Sequence, residues 1–152
     1  GQSHPRGGSR LRRCWPSYVI VVDTSVIVAI SRLEPDADRF ARALDRDGAV
    51  QISGASVLEC SLALRRFRQL SPELVEQRLD ALLASIGFAI HPVTLADIAL
   101  ARAAHMRFGK GTGHAAQLNF GDCFSYALAK RLDVPLLFKG NDFSHTDITP
   151  AL

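Results

Sequence analysis

The chain is poor in the residues that staple or coordinate. Its 152 residues hold three cysteines, Cys14, Cys60 and Cys123, an odd set with no C-x-x-C pair. That excludes a disulfide framework and a cysteine zinc site, and it fits a reducing, cytoplasmic setting. His91, His105 and His145 have no mutual spacing for metal ligation and are read as non-ligands. Long apolar runs are missing too. The longest candidate, Val19 to Val22 with Val26 to Ile30, is broken by Asp23 and falls short of the roughly 20 residues that cross a bilayer. No G-x-x-x-x-G-K-[ST] sequence occurs, so a P-loop nucleotide site is excluded.

Acids are absent from residues 1–18, which carry Arg6, Arg10, Arg12 and Arg13. That arm therefore holds +4 of a net charge of +3, and residues 19–152 carry −1. Overall basicity is thus no argument for a nucleic-acid surface on the folded part. The arm is rich in Gly, Ser, Pro and Arg without periodicity and reads as disordered or extended. It is either foreign to the native chain or an over-extended start, or else a basic arm that touches RNA or a partner. Residues 19–152 are long enough for one domain with a real core.

What is present from residue 19 onward is an alternation of short apolar runs and helical segments. Strands are expected at Val19–Val22, Val50–Ser53, Phe88–Val93 and Pro135–Phe138. Helices are expected at Ser25–Ser31, Pro35–Arg46, Ala55–Gln69, Pro72–Ile86, from Leu95 onward, and at Gly121–Leu132. Ser71-Pro72-Glu73 is a strong helix start and Gly87 a stop. Thr94 with Asp97 forms a capping box, and Leu95, Ile98, Ala99 and Met106 are assigned to the buried face of that helix. Residues 109–119 read as a loop, and Asp142–Leu152 as a tail with little regular signal. Strands alternating with helices imply an α/β fold: a three-layer α/β/α sandwich around a mostly parallel sheet of four to five strands. Sites in such sheets form beyond the carboxyl ends of the strands.

Fifteen acids are present, and four stand out. Asp23 ends the first apolar strand in "VIVVDTS". Glu59 is embedded in "SVLECSLAL". Asp122 stands among apolar residues in "NFGDCFSYALA". Asp142 follows the "PLLF" strand in "KGND". An isolated buried carboxylate is costly and needs a partner or a metal. Arg66, seven residues after Glu59, and Lys139, three before Asp142, are the nearest cations, too few for four acids. Converging carboxylates without His or Cys would select Mg²⁺ or Mn²⁺, whose chemistry here is phosphodiester hydrolysis. Each acid alone has a structural reading as well: a turn cap for Asp23, an ion pair with Arg66 for Glu59, a helix-start acid for Asp122, a turn residue for Asp142.

The blocks "VIVVDTSVIVAI", "ASVLECSLAL", "NFGDCFSYALAK" and "PLLFKGNDF" resemble the PIN domain, and more narrowly the VapC-type ribonuclease toxins of bacterial toxin–antitoxin pairs. The resemblance spans about residues 19–150. It implies metal-binding acids at Asp23, Glu59, Asp122 and Asp142, with Ser25 orienting the site through its hydroxyl. Where the family pattern carries a further acid two residues before the last, this chain has Gly140. The resemblance also implies an RNA substrate such as tRNA, a cognate VapB-type antitoxin and a homodimer. Arg107, Lys110, His114 and Lys139 are the candidates for RNA contact; a solvated flexible loop is the other reading of that segment. Tyr126 is assigned to packing. A phosphatase with a D-x-D-x-T nucleophile motif is excluded, since Ser25 stands where the second Asp belongs. The remaining alternative is a degenerate PIN module that binds RNA or a protein without cutting.

Overall fold

A strand covered on both faces reads as an unbroken apolar run, and Val19–Val22 (β1) is such a strand. The computed structural model describes residues 18–46 and 48–152, so the expected basic arm, apart from Tyr18, lies outside the described residues. Tyr18 is already part of the fold: its ring packs against the core and its carbonyl accepts from the Ala49 amide at 2.8 Å.

β1 is central in a parallel sheet with β2 (Ala49–Ser53), β3 (Ala89–His91) and β4 (Leu136–Leu137), in the order β3-β2-β1-β4. Side-chain alternation divides the interior into two cores. Ile20 and Val22 point into one, built with helices α1 (Thr24–Ser31), α2 (Ala37–Leu44), α3 (Gly54–Arg65) and α4 (Pro72–Ile86). Val21 points into the other, built with α5 (Leu95–Phe108) and α6 (Phe120–Leu132). β4 splits the same way, Leu137 to the first core and Leu136 to the second. The result is the three-layer α/β/α sandwich expected from the sequence.

Helix ends follow their local chemistry. The Ser71 hydroxyl caps α4 by accepting from the Leu74 amide, Pro72 takes the first turn, and Gly87 closes the helix at φ 82°. Thr94 and Asp97 form the capping box of α5 as read from the sequence. The expected buried face of α5 is wrong, however. Leu95, Ile98 and Met106 are 86%, 42% and 81% exposed, and Ala99 is exposed as well. The inward stripe is Asp97, Ala101, Ala104 and Phe108. Asp97 turns the helix, because its carboxylate pairs with the Arg131 guanidinium of α6 at 2.5 Å. The two small alanines then let α5 lie close against α6. That ion pair also holds the Asp97 carboxyl below the usual range despite its burial.

The tail is more ordered than its composition suggests. A 3₁₀ turn occupies Phe143–His145, and Pro150 pairs in parallel with Leu136. The Leu136 amide donates to Thr149 at 2.9 Å, and the Ala151 amide donates to Leu136 at 2.9 Å.

Asp97→Ala removes the reciprocal half of the α5 capping box and leaves the Arg131 charge unpaired. We expect it to lower the free energy of unfolding by about 2 kcal/mol in a urea titration. A loss below a few tenths would show that the α5–α6 contact rests on apolar packing alone.

Candidate active site at the carboxyl edge of the sheet

Strand order reverses beside β1: β2 and β3 lie on one side of it and β4 on the other. A parallel sheet opens a crevice at such a point, outside the carboxyl ends of its strands. Asp23 sits there as the residue after β1, 3% exposed, its amide donating to Leu137 of β4 at 2.9 Å.

The cap reading of Asp23 is met, and both of its carboxylate oxygens are hydrogen-bonded. Asp23 is the N-cap of α1, and its Oδ2 accepts from the Ser25 amide at 3.0 Å and the Ser25 hydroxyl at 2.6 Å. Oδ1 accepts from the Ser125 hydroxyl at 2.6 Å. Capping therefore occupies Oδ2, while Oδ1 is held by Ser125 of α6. The Ser25 amide and hydroxyl thus both fasten the Asp23 carboxylate. Ser125, from α6, was not singled out in the sequence. Its signal is a small hydroxyl one helical turn after Asp122 in an otherwise apolar stretch, on the same helix face.

Glu59 reaches the crevice from α3. A side-chain carbon at Gly121 would collide with its carboxylate, so the absence of a side chain at 121 is what admits Glu59. Burial pushes the Glu59 carboxyl upward; the Thr24 hydroxyl tempers the rise and the Asp23 charge adds to it. Among the described residues no ion pair joins Glu59 to Arg66. The pairing weighed from the sequence is not formed, because Glu59 turns to Thr24 and Gly121 while Arg66 stays on the exposed rim.

Asp122 is the third residue of α6 and closes a capping box with Asn119. Its Oδ2 accepts from the Asn119 amide at 3.0 Å, and its own amide donates to Asn119 Oδ1 at 2.9 Å. Burial pushes its carboxyl up to about 7; the Asn119 amide lowers it, and the Asp23, Asp142 and Glu59 charges raise it. Asp142 is exposed and enters from the loop after β4.

The four acids line one cleft of about 480 Å³, with Arg66 and Lys139 on its wall. All are hard oxygen donors, and the mutual repulsion at Asp122 is what a divalent cation would relieve, so the donor set fits Mg²⁺ or Mn²⁺. Among the described residues, no three Asp, Glu, His or Cys side chains stand close enough together to hold a metal ion as they are placed.

Other sequence candidates are placed differently. The Lys139 ammonium pairs with Glu34, and with Asp36 at 3.1 Å, while its amide donates to the Ser25 hydroxyl at 3.0 Å. It fastens the β4 loop to the start of α2 instead of neutralising Asp142. Arg107, Lys110 and His114 do not line the cleft. Arg107 pairs with Asp147 at 3.5 Å, and His114 Nδ1 accepts from the Ala116 amide at 3.0 Å. Tyr126 is buried and donates to Asp147 at 2.7 Å, in keeping with packing. Cys60 and Cys123 are buried, and burial pushes their thiols up to about 12 and about 11, so neither is a nucleophile.

Comparison with known proteins gives this architecture a family. The PIN domain model matches residues 20–148. The VapC ribonuclease Mb0625 of Mycobacterium bovis is 47% identical over 133 residues, which cover 88% of this chain and 98% of that protein. Ribonuclease VapC42 of Mycobacterium tuberculosis is 41% identical over 133 residues, covering 87% and 98%. The chain therefore belongs to the PIN-domain family. Its branch of that family is the VapC ribonucleases. Among solved structures, VapC20 of Mycobacterium tuberculosis, described as a sarcin–ricin loop cleaving toxin, superposes with a TM-score of 0.69 at 18% identity, covering 86% and 96%. VapBC2 of Rickettsia felis, bound to a promoter DNA fragment, gives 0.67 at 12%, covering 88% and 96%. These two carry the fold.

Two outcomes follow from this geometry. Gly121→Ala should fold normally, because only a flexible carboxylate has to move, yet displace Glu59 and cut RNA cleavage at least tenfold. Wild-type cleavage would free Glu59 of any role. The second concerns pH. A carboxyl with a raised native pKa binds its proton more tightly folded than unfolded. Stability of the metal-free protein therefore falls as pH rises from about 5 to 8, and Mn²⁺ restores more of it at pH 8 than at pH 5. Thermal unfolding in EDTA and in Mn²⁺ should show both trends. Asp122→Asn should flatten them; an unaltered slope in that variant would exclude Asp122 as the titrating group.

Proposed function

We propose that the chain is a Mg²⁺- or Mn²⁺-dependent ribonuclease that hydrolyses phosphodiester bonds in structured RNA such as tRNA, acting in the cytoplasm as the toxin of a toxin–antitoxin pair. The observation that carries this reading is the convergence of Asp23, Glu59, Asp122 and Asp142 from four separate elements on one cleft. A bound divalent ion supplies an activated water and charge neutralisation of the phosphate. The chain's own groups do the rest. Asp23, Asp122, Glu59 and Asp142 hold the ion. Ser25 and Ser125 fix the Asp23 carboxylate. Arg66 on the cleft wall offers a guanidinium to a phosphate oxygen. Lys110, exposed beyond the cleft, is the better placed of the loop cations for a longer RNA, since Arg107 and His114 already have partners.

The partners follow from the exposed apolar surfaces. Solved structures with this fold include toxin–antitoxin complexes, the Klebsiella pneumoniae pair among them. A VapB-type antitoxin fits the groove of about 660 Å³ between α1, α3 and α4, lined by Leu33, Leu64, Phe67, Leu70, Leu79 and Leu82. A homodimer fits the opposite-sided apolar patch of Ile98, Phe120 and Phe124 on α5 and α6, where Phe120 is 80% exposed. Gly140, in place of an acid, is what keeps a non-cleaving PIN module as the second reading.

Asp23→Asn and Asp122→Asn each remove a carboxylate while keeping shape. We expect either to abolish RNA cleavage and growth arrest on expression, with the far-UV spectrum unaltered, and EDTA to stop the wild type. Cleavage that persists in chelator would overturn the metal-dependent reading.

A further inference from the structure

Two hydrogen-bonded chains run into Asp23 from opposite sides. On one side the Lys139 amide donates to the Ser25 hydroxyl at 3.0 Å, and Ser25 donates to Oδ2 at 2.6 Å. On the other, the Ser56 and Ser125 hydroxyls lie 3.3 Å apart, and Ser125 donates to Oδ1 at 2.6 Å. A hydroxyl has one proton to give. The Ser125 proton goes to Asp23, so the proton between the two serines is Ser56's, donated to Ser125. Ser56 and Ser125 are 1% and 0% exposed, so this order is not disturbed by solvent.

Counting acceptor sites gives a sharper result. Each carboxylate oxygen has two lone pairs. The Ser25 amide and hydroxyl take both on Oδ2. Ser125 takes one on Oδ1. One lone pair remains on the whole carboxylate, and its direction is set by Ser125.

We propose that Ser125 is a positioning residue that fixes the Asp23 carboxylate in the orientation in which it would help to hold a divalent ion. This rests on the metal-dependent reading given above. Ser125 touches neither ion nor substrate; it acts through Asp23. Without it, Oδ1 keeps two open lone pairs and the carboxylate turns about its last bond with only Ser25 to hold it. Outer-shell partners of this kind are worth about 10–100-fold in metal affinity.

The test is Mn²⁺ binding to the full chain by titration calorimetry and by the loss of the free-ion EPR signal, together with cleavage rate against Mn²⁺ concentration. Ser61→Ala is the control, a buried hydroxyl on α3 bonded to Glu76 and outside the cleft. We expect Ser125→Ala to bind Mn²⁺ about tenfold or more weakly, to need correspondingly more Mn²⁺ for half-maximal cleavage, and to regain most of its rate at saturation. Ser61→Ala should bind as the wild type does. Should Ser125→Ala fail to fold, Ser125→Cys, which keeps the size and a weak donor, carries the same test and should show a smaller loss. Wild-type Mn²⁺ affinity in the folded Ser125 variant, or an equal loss in Ser61→Ala, overturns the proposal and leaves the ribonuclease reading standing. A wild-type chain that takes up no Mn²⁺ overturns the metal reading and this proposal with it.

Discussion

The buried carboxylate of Asp23 is the constraint around which the rest is arranged. An unpaired buried charge is among the costliest things a fold can hold. Here it is made tolerable by three donors at 2.6–3.0 Å, drawn from α1 and α6. Satisfying them fixes where α1 starts, how closely α6 approaches the sheet, and where the β4 loop passes, since the Lys139 amide is tied to the same Ser25 hydroxyl. The other acids then take positions relative to a group that cannot move. Glu59 and Asp122 are left in partial burial beside it, and both carboxyls rise for that reason.

The sheet supplies the rigidity this needs. β1 is flanked on both sides and covered on both faces, so the residue at its end is held by the best-packed part of the molecule. Asp142, by contrast, rides on a surface loop and is exposed. The site thus joins a fixed half, Asp23 with its serines, to an adaptable half. Separate carboxylates drawn from fixed and adaptable supports suit a ligand whose charge draws them together.

Much of this was legible from residue order because local and global signals agree. The apolar run of β1, the Ser71-Pro72-Glu73 start, Gly87 and the Thr94–Asp97 box each stand where the structure puts them. The four acids were legible as candidates because they interrupt apolar surroundings. Two matters were not. The inward face of α5 was misread because hydrophobicity was taken as the guide, while an ion pair to Arg131, thirty-four residues away, sets the rotation. Ser125 was overlooked because its one local signal, its spacing from Asp122, does not say what the hydroxyl bonds. Its meaning comes from a partner 102 residues distant. Lys139 was read as the cation near Asp142 and a candidate for RNA contact, and only the fold brings Glu34 and Asp36 to it. Long-range pairing of polar groups is what residue order leaves out.

The pairing of Pro150 with Leu136 carries a consequence for the end of the chain. Residues 138–148 leave the sheet at β4 and return to its flank, so the segment bearing Asp142 is a loop with both feet on one strand. Closing a loop at two points lowers its freedom without fixing its exposed middle. Thr149, Pro150 and Ala151 therefore act at a distance on the fourth carboxylate: they limit the entropy of the segment that delivers it. Composition at residues 149–151 becomes part of the tuning of the acid cleft, although no atom there lines it.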